Sequence, residues 1–265
     1  MLGLIVNEKE VCEKALYKKI IDKKPMKVIR LIIKKYLSEG LSKEEIYIKV
    51  SDFLEEIYKD KFNKSYWKKV VDGAIGTVSK YNNYNLVDIE KIEIYKEELE
   101  NIEALNDIKL EKLAFILLVY AKINKIINPL SDGRINIKLS CIFKESILSV
   151  NKEKILLHKL VELKYLLTNT TCDSTTIKIN YMKNDGDVSL IVENLKDLNA
   201  ITYYLEYRLN YKYKMCEVKN CRERFKLKSP NSPQTYCNKC AKKIELEKHR
   251  ERNKKWYKNS ISDGK

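Results

Sequence analysis

Histidine is scarce in this chain of 265 residues, which contains only His158 and His249. The chain therefore offers few candidates for a catalytic histidine. No metalloprotease helix motif or nucleophile elbow is present either. Gly73 and Gly76 suggest part of a phosphate loop, but the third glycine and the Lys-Ser/Thr pair of that loop are missing. Clustered carboxylates with metal-ligand spacing are missing as well. These absences predict a protein that is not an enzyme.

Long hydrophobic runs are also missing. No stretch of the sequence approaches the ~20 uncharged apolar residues that a membrane-spanning helix needs. The start of the chain lacks the basic residues and the long apolar run of a signal peptide. Cys12, Cys141 and Cys172 lie far apart, without the paired spacing of a disulfide framework. We therefore expect an intracellular protein with no membrane partner, whose thiols are free or bound to a metal.

Negative charge is in deficit. The chain has 52 lysines and arginines against 37 aspartates and glutamates, a net charge of +15. Lysine supplies most of the excess, and the high content of lysine, isoleucine, asparagine and tyrosine resembles the codon bias of an AT-rich genome. The distribution of the charge along the chain is more informative than the total, because residues 212–258 hold sixteen basic residues against five acidic ones. This concentration predicts a polyanionic partner, although a solvated tail has the same composition.

The other four cysteines, Cys216, Cys221, Cys237 and Cys240, form two closely spaced pairs. They read C-x4-C and C-x2-C, and the fifteen residues between the pairs include two prolines and several serines, which indicates turns. Two such pairs can place four thiolates at the corners of a tetrahedron, the geometry that Zn²⁺ prefers. Four thiolates leave no open coordination position for a substrate. The sequence therefore predicts a structural zinc ion.

The N-terminal part of the chain, residues 1–82, has the pattern of about four helices. Asn7 and Ser42 are each followed three residues later by a glutamate, as in a capping box. Pro25 fits the first turn of the second helix, and Gly40 fits the left-handed position that ends it. We expect a small helical domain with one core, which is also the candidate surface for a protein partner.

Residues 83–105 combine a short strand pattern with a charged helix pattern, and we interpret them as a bridging segment. Residues 106–211 then show an apolar helix, a short strand, a short helix, a turn, a longer helix and two alternating strands. Asp185 and Gly186, between these two strands, are a strong hairpin signal. The order of elements, and residues 142–160 in particular, resembles the winged helix-turn-helix family.

The winged-helix resemblance implies a mode of DNA binding. In such domains the second helix of the pair enters the major groove, and the wing in this chain would be the segment near Lys183. The same kind of domain also serves protein contact or dimerisation, and Glu153 and Glu162 on this helix are compatible with that use. The outward basic residues of the helix are Lys152, Lys154 and Lys159, together with His158.

Residues 212–265 join the four cysteines to a basic helix. Nothing between Cys240 and Lys258 breaks a helix, and the few aliphatic residues there are too few for a core-facing stripe, so we expect the helix to project into solvent. The Tyr-Cys-x2-Cys-Ala pattern before a basic helix resembles zinc fingers of bacterial and phage DNA-binding proteins, including the CGNR type. Cys-Ala-Lys-Lys stands here in place of the CGNR residues. The resemblance implies a zinc ribbon in the cytoplasm of a bacterial cell or a phage-infected host.

Basic residues between and after the cysteine pairs are the best candidates for nucleic-acid contacts, because each phosphate that they neutralise releases counterions. They are Arg222, Arg224, Lys226, Lys228, Lys242, Lys243, Arg250, Arg252, Lys254 and Lys255.

Together these patterns predict a mainly α fold with small β-hairpins, of the α+β class. Its parts are an N-terminal helical domain, a central winged helix-turn-helix and a C-terminal zinc ribbon with a basic helix. We expect a non-enzymatic protein that binds nucleic acid, with duplex DNA favoured, as a regulator or a replication-associated factor. The alternative is a phage-encoded, anti-CRISPR-like inhibitor of a host nucleoprotein defence complex, whose helical domain would bind a protein partner. The sequence leaves the oligomeric state open.

Overall fold

The chain folds into ten α-helices and three small antiparallel sheets in the part that the structure describes. The structure is a computed structural model, and it describes residues 6–21, 25–80, 84–136, 139–148, 153–168, 176–193, 195, 199–219, 221 and 223–262. The expectation of a mainly helical chain with small β elements is confirmed. Two compact units are present, Met1–Glu90 with Ile126–Asn128, and Lys91–Lys125 with Pro129–Lys265.

Four helices form the first unit: α1 (Glu8–Lys18), α2 (Pro25–Ser38), α3 (Lys43–Tyr58) and α4 (Lys64–Val78). The predicted capping residues are confirmed, because the side chains of Asn7 and Ser42 accept hydrogen bonds from the backbone N–H groups three residues later. The apolar faces of the four helices meet in one core. Its fully buried members include Ile29, Ile32, Ile46, Leu54 and Val71.

A buried ion pair fastens the end of the first unit to its helices. Lys34 Nζ lies 2.6 Å from Glu8 Oε2, and both side chains are largely buried. Glu8 Oε2 also accepts a hydrogen bond from the Val87 backbone N–H at 2.9 Å. The Glu8 backbone N–H in turn donates to the Val87 carbonyl, so the chain after α4 is held against the start of α1.

The second unit is built around α6 (Ile108–Ile127), which is buried on nearly every side between Leu110 and Ile123. This confirms the sequence expectation of a helix that is apolar nearly all round. The predicted bridging segment contributes β1 (Lys91–Tyr95) and α5 (Lys96–Glu103). Strand β1 pairs along its whole length with a later strand, β5 (Val188–Glu193), so these residues are part of the second unit.

A three-stranded sheet follows α6. It contains β2 (Arg134–Asn136), β3 (Leu166–Thr168) and β4 (Thr176–Ile179) in the order β2-β4-β3, and all pairs are antiparallel. Helices α7 (Leu139–Glu145) and α8 (Glu153–Glu162) lie in the chain between β2 and β3. The turn predicted at residues 149–151 lies outside the described residues.

The predicted hairpin around Asp185 and Gly186 is wrong, because β4 and β5 belong to different sheets. Both edges of β4 are occupied, one by β2 and the other by β3. Helix α8 ends before β3, and Lys164 between them takes a left-handed conformation with φ 61°. Gly186 has φ +146°, and a Cβ there would lie 3.3 Å from the Cβ of Tyr95, so the glycine allows a close approach to β1.

The second unit ends with α9 (Ala200–Leu209), the hairpin strands β6 (Tyr213–Met215) and β7 (Arg224–Lys226), and α10 (Asn238–Ser262). Buried Glu111 of α6 accepts hydrogen bonds from Tyr204 Oη at 2.8 Å and Arg208 Nε at 3.0 Å. This joins α6 to α9, directly before the cysteine-rich segment. Among the residues described, no helix combines the length and the apolarity that crossing a bilayer requires.

Candidate metal centre and basic helix

The first cysteine pair lies at the end of the β6–β7 hairpin. Met215, the last residue of β6, pairs with Arg224 of β7, and Cys216 follows it directly. The Cys216 backbone N–H donates to the Glu223 carbonyl at 3.0 Å, which continues the ladder by one step. The Cys221 backbone N–H donates to the Val218 carbonyl at 2.8 Å, so the chain between the two cysteines is a tight turn.

The second pair lies at the start of α10. Cys237 directly precedes the helix, Cys240 lies in its first turn, and the Ala241 backbone N–H donates to the Cys237 carbonyl at 2.9 Å. A hydrogen bond of 3.1 Å from the Glu217 N–H to the Thr235 carbonyl holds the two segments side by side. The hairpin and the helix start therefore present their thiols to the same point.

The four thiols have the spacing of a metal site. The sulfur atoms of Cys216, Cys221, Cys237 and Cys240 all lie within 4.8 Å of one another, and the Cys221 and Cys237 sulfurs are 3.9 Å apart. A tetrahedral ion with metal–sulfur distances of about 2.3 Å separates its ligands by about 3.8 Å. The Cys237 N–H also points at the Cys216 sulfur, at 3.4 Å. The four cysteines predicted from the sequence can therefore hold a metal ion.

The four thiols differ in their proton affinities. Burial raises the pKa of Cys216, but hydrogen bonds from the backbone of Cys237 and Val218 outweigh burial and lower the pKa to about 7. A hydrogen bond with Cys221, together with burial, raises the pKa of Cys240 to about 12. The pKa of Cys237 is also raised, chiefly by burial. A metal that binds the four sulfurs therefore has to displace thiol protons.

The segment after Leu209 has almost no hydrophobic core. Among the described residues after Leu209, only Cys216 and Cys237 are buried. Each strand of the hairpin has three residues. A segment with so small a core needs a metal or another cross-link to hold a fixed structure.

Arg224, one of the predicted nucleic-acid contacts, lies in the interior of the second unit. Its side chain is 11% exposed, and its guanidinium lies 2.6 Å from a Glu206 carboxylate oxygen. It also donates to Thr202 Oγ1 at 3.1 Å and stacks over the Tyr203 ring at 3.8 Å. These partners engage both terminal nitrogens and one face of the guanidinium. Arg224 therefore fastens β7 to α9, and we remove it from the basic surface.

The other basic candidates near the hairpin have different positions. Lys226 is exposed, with its Nζ 3.1 Å from the centre of the Tyr211 ring, and Lys228 is exposed in the following turn. Arg222 lies outside the described residues, and so does Lys152 of the predicted recognition helix.

The remaining tail candidates all lie on α10, and all are exposed. A helix of this length extends about 37 Å at a rise of 1.5 Å per residue. Its side chains are exposed without interruption from Glu245 to Trp256. The predicted projecting helix is therefore present, and it carries Lys242, Lys243, Arg250, Arg252, Lys254 and Lys255.

The helix predicted to read DNA in the centre of the chain is α8. Lys154, His158 and Lys159 are exposed on it, and Leu157 and Leu160 are buried. Ile155 of the same helix is also exposed. The outward face of α8 is thus a mixture of basic and apolar side chains, less charged than α10.

Sequence reasoning missed the polar contacts that position α9 beneath the cysteine-rich segment. The signal was present, because Glu111 is a lone acid inside an almost wholly apolar helix and Tyr204 and Arg208 are one helical turn apart. Such an isolated acid is expected to have buried partners. Comparison with protein-family models, curated proteins and solved structures found no match to this chain.

Proposed function

We propose that this protein is a non-enzymatic nucleic-acid-binding protein in which a zinc ribbon fixes the basic helix α10 for contact with duplex DNA. One observation carries the proposal: four thiols converge within 4.8 Å at the base of an exposed helix that is rich in lysine and arginine. The metal supplies the core that the ribbon lacks. The helix supplies the positive charge that a phosphate backbone attracts.

Zinc is the metal that suits this site best. Thiolates are soft ligands, and a tetrahedral set of four sulfurs selects zinc or iron–sulfur chemistry over magnesium or calcium. Zn²⁺ with four thiolates carries a net charge of −2. Because Cys240 lies in the first turn of α10, this charge is placed at the positive end of the helix dipole, which it stabilises. A closed shell of four sulfurs gives the ion a structural role.

A winged helix in the centre of the chain is the second part of the proposal. The element order α6-β2-α7-α8-β3-β4 and the sheet order β2-β4-β3 support it. In this arrangement the paired strands β3 and β4 form the hairpin of the wing, in place of the strands on either side of Lys183. The sequence between them, residues 169–175, contains no lysine or arginine. We therefore assign α8 the weaker DNA contact and α10 the stronger one, as in a regulator or a replication-associated factor.

The test combines metal content with DNA binding. We expect the purified, reduced protein to contain one zinc per chain and to bind random duplex DNA with an affinity that falls steeply as salt rises. Cys237→Ser and Cys240→Ser should lose both the zinc and the duplex binding. Cys141→Ser should keep both, because Cys141 lies on α7 and outside the four-thiol group.

Two results would contradict the proposal. One is folded, reduced protein that contains no zinc. The other is zinc-loaded protein that does not bind duplex DNA even at low salt, and co-purification of a host nucleoprotein complex with it would favour the inhibitor hypothesis.

A further inference from the structure

The charges of α10 are distributed unevenly around the helix. Successive side chains of an α-helix are separated by about 100° around its axis. On this spacing, a continuous arc of about 200° contains no carboxylate. We call this side the basic face. Its members with described side chains are Asn238, Lys239, Lys242, Lys243, Leu246, His249, Arg250, Asn253, Lys254 and Trp256.

The opposite side, which we call the mixed face, carries all three carboxylates of the helix. Glu245, Glu247 and Glu251 lie there, among Lys248, Arg252 and Lys255. Glu245 lies three residues from Lys248, and Glu251 lies three residues from Lys248 and four from Lys255, where opposite charges compensate one another. The three carboxylates of the mixed face balance its three basic residues. The net positive charge of α10 is therefore presented in one direction.

Burial shows which way the basic face points. In the first two turns of α10, Cys240, Ala241 and Ile244 are half-buried, which marks the side of the helix that touches the ribbon. These three residues lie on the mixed side of the helix. The exposed Lys242 and Lys243 lie on the opposite side. The basic face is thus directed away from the ribbon.

Four long side chains on the basic face are available to a ligand. Lys239 is partly engaged, since its Nζ lies 3.4 Å from a Glu223 carboxylate oxygen. In the part of the chain that the structure describes, Lys242, Lys243, Arg250 and Lys254 form no ion pair. From Lys242 to Lys254 they extend about 18 Å along the helix axis, which equals about five base-pair steps of B-form DNA.

We propose that α10 lies in the major groove of B-form duplex DNA with its basic face toward the phosphates and its mixed face toward solvent. This inference rests on the proposed function and assigns the contact to one side of one helix. The B-form major groove is about 12 Å wide and admits an α-helix, whereas the A-form groove of double-stranded RNA is too narrow.

The same face is poorly suited to single strands. Proteins that bind single-stranded nucleic acid use several aromatic side chains as stacking platforms. Tryptophan and tyrosine in α10 are limited to Trp256 and Tyr257, next to each other near its end. The basic residues outnumber these two aromatics, so the composition of the helix favours a duplex.

The helix offers a matched pair of variants for the test. Lys242→Gln, Arg250→Gln and Lys254→Gln together remove two lysines and one arginine from the basic face. Lys248→Gln, Arg252→Gln and Lys255→Gln remove the same three charges from the mixed face. Both triple variants have the same net charge and the same helix length. Circular dichroism and zinc content check that both keep the fold.

Binding to a 20-base-pair random duplex is then measured across a salt series. Each lost phosphate contact lowers the slope of log K against log salt by about 0.9, so the basic-face variant should lose about 2.7 from the slope. At 0.1 M salt this corresponds to an affinity loss of roughly 100-fold or more. The mixed-face variant should change the slope by less than about 1.

Other outcomes would overturn the inference. Equal losses in the two variants would show that α10 acts only through its total charge. Tighter binding to single-stranded DNA or to double-stranded RNA would overturn the groove assignment, while duplex binding by the wild-type protein would still support the proposed function. Absence of any duplex binding in the wild-type protein would instead contradict the proposed function itself.

Discussion

At the scale of single residues, the second unit contains acidic side chains that are almost completely buried. Glu98 accepts hydrogen bonds from Lys122 Nζ and from the backbone N–H groups of Tyr95 and Lys183, each at 2.8 Å. A buried carboxylate is tolerated when its lone pairs are satisfied in this way. Such residues belong to the structure of the unit and are poor candidates for chemistry, since their donors and acceptors are already engaged.

Glu145 at the end of α7 differs, because burial raises the pKa of its carboxyl to about 7, against the weaker opposing charge of Lys144. Between the ordinary value of 4.5 and about 7, the folded protein keeps a proton that the unfolded chain releases. The unfolded state binds fewer protons there, so stability falls as pH rises through this window. We predict that Glu145→Gln leaves the free energy of unfolding nearly unchanged at about pH 5 and increases it at about pH 8.

Urea unfolding of the wild-type protein and the variant at the two pH values measures this effect. Glu251→Gln, at an exposed position of α10, is the control and should give the same small difference at both pH values. A Glu145→Gln variant whose advantage does not grow with pH would show that the wild-type carboxyl titrates normally.

At the scale of elements, Arg224 tests how the ribbon is fastened to α9. Arg224→Met should lower the free energy of unfolding of the second unit by about 2 kcal/mol, because the charged hydrogen bonds to Glu206 and Thr202 are lost. Lys228→Met, an exposed change nearby, should stay within about 0.5 kcal/mol. Chemical denaturation measures both values.

The same variant separates packing from DNA contact. If Arg224 only joins β7 to α9, the slope of log K against log salt for duplex binding stays at the wild-type value. A slope reduced by about 0.9 in folded Arg224→Met protein would return Arg224 to the set of phosphate contacts.

The elements that the sequence predicted well are those with local causes. The helix starts at Asn7 and Ser42 depend on side chains three residues away, and Gly40 ends α2 with φ 82° as predicted. The cysteine site was also predictable, because the spacing of thiols within each pair already defines a metal turn. In both cases the residues that determine the local structure are within a few positions of one another in the sequence.

The strand pairing was not predictable from local pattern, because partners were chosen across long separations. Strand β5 pairs with β1, whose residues lie 93 to 102 positions earlier in the chain, and not with its neighbour β4. An Asp-Gly pair favours a hairpin turn in general, but the glycine at 186 is needed here because its backbone lies close to the side chain of Tyr95. The position of Arg224 had the same cause, since no local feature distinguishes it from the exposed basic residues beside it.

At the scale of the whole molecule, stability is distributed unevenly between the two units and within the second one. The first unit has a core of four helices, whereas Cys216 and Cys237 are the only buried residues after Leu209 among those whose side chains the structure describes. Removal of the metal should therefore act locally. We predict that a zinc chelator abolishes amide protection in the ribbon and at the start of α10, and leaves Met1–Glu90 unchanged.

Hydrogen exchange measured by mass spectrometry, with and without the chelator, resolves this difference peptide by peptide. The Cys240→Ser variant should reproduce the chelated pattern, and added chelator should not change it further. Equal loss of protection in both units would show that the metal supports the whole chain.

Between Glu245 and Trp256 the helix α10 is exposed on all sides, and this affects how it meets a polyanion. A helix without packed neighbours is only marginally stable, and its like charges repel one another while it is alone in water. Its outer turns therefore uncoil and re-form within about a microsecond. Counter-charge from an approaching polyanion removes the repulsion and shifts this equilibrium toward the ordered form. Helix α10 can thus approach DNA partly unfolded and complete its helical structure on binding.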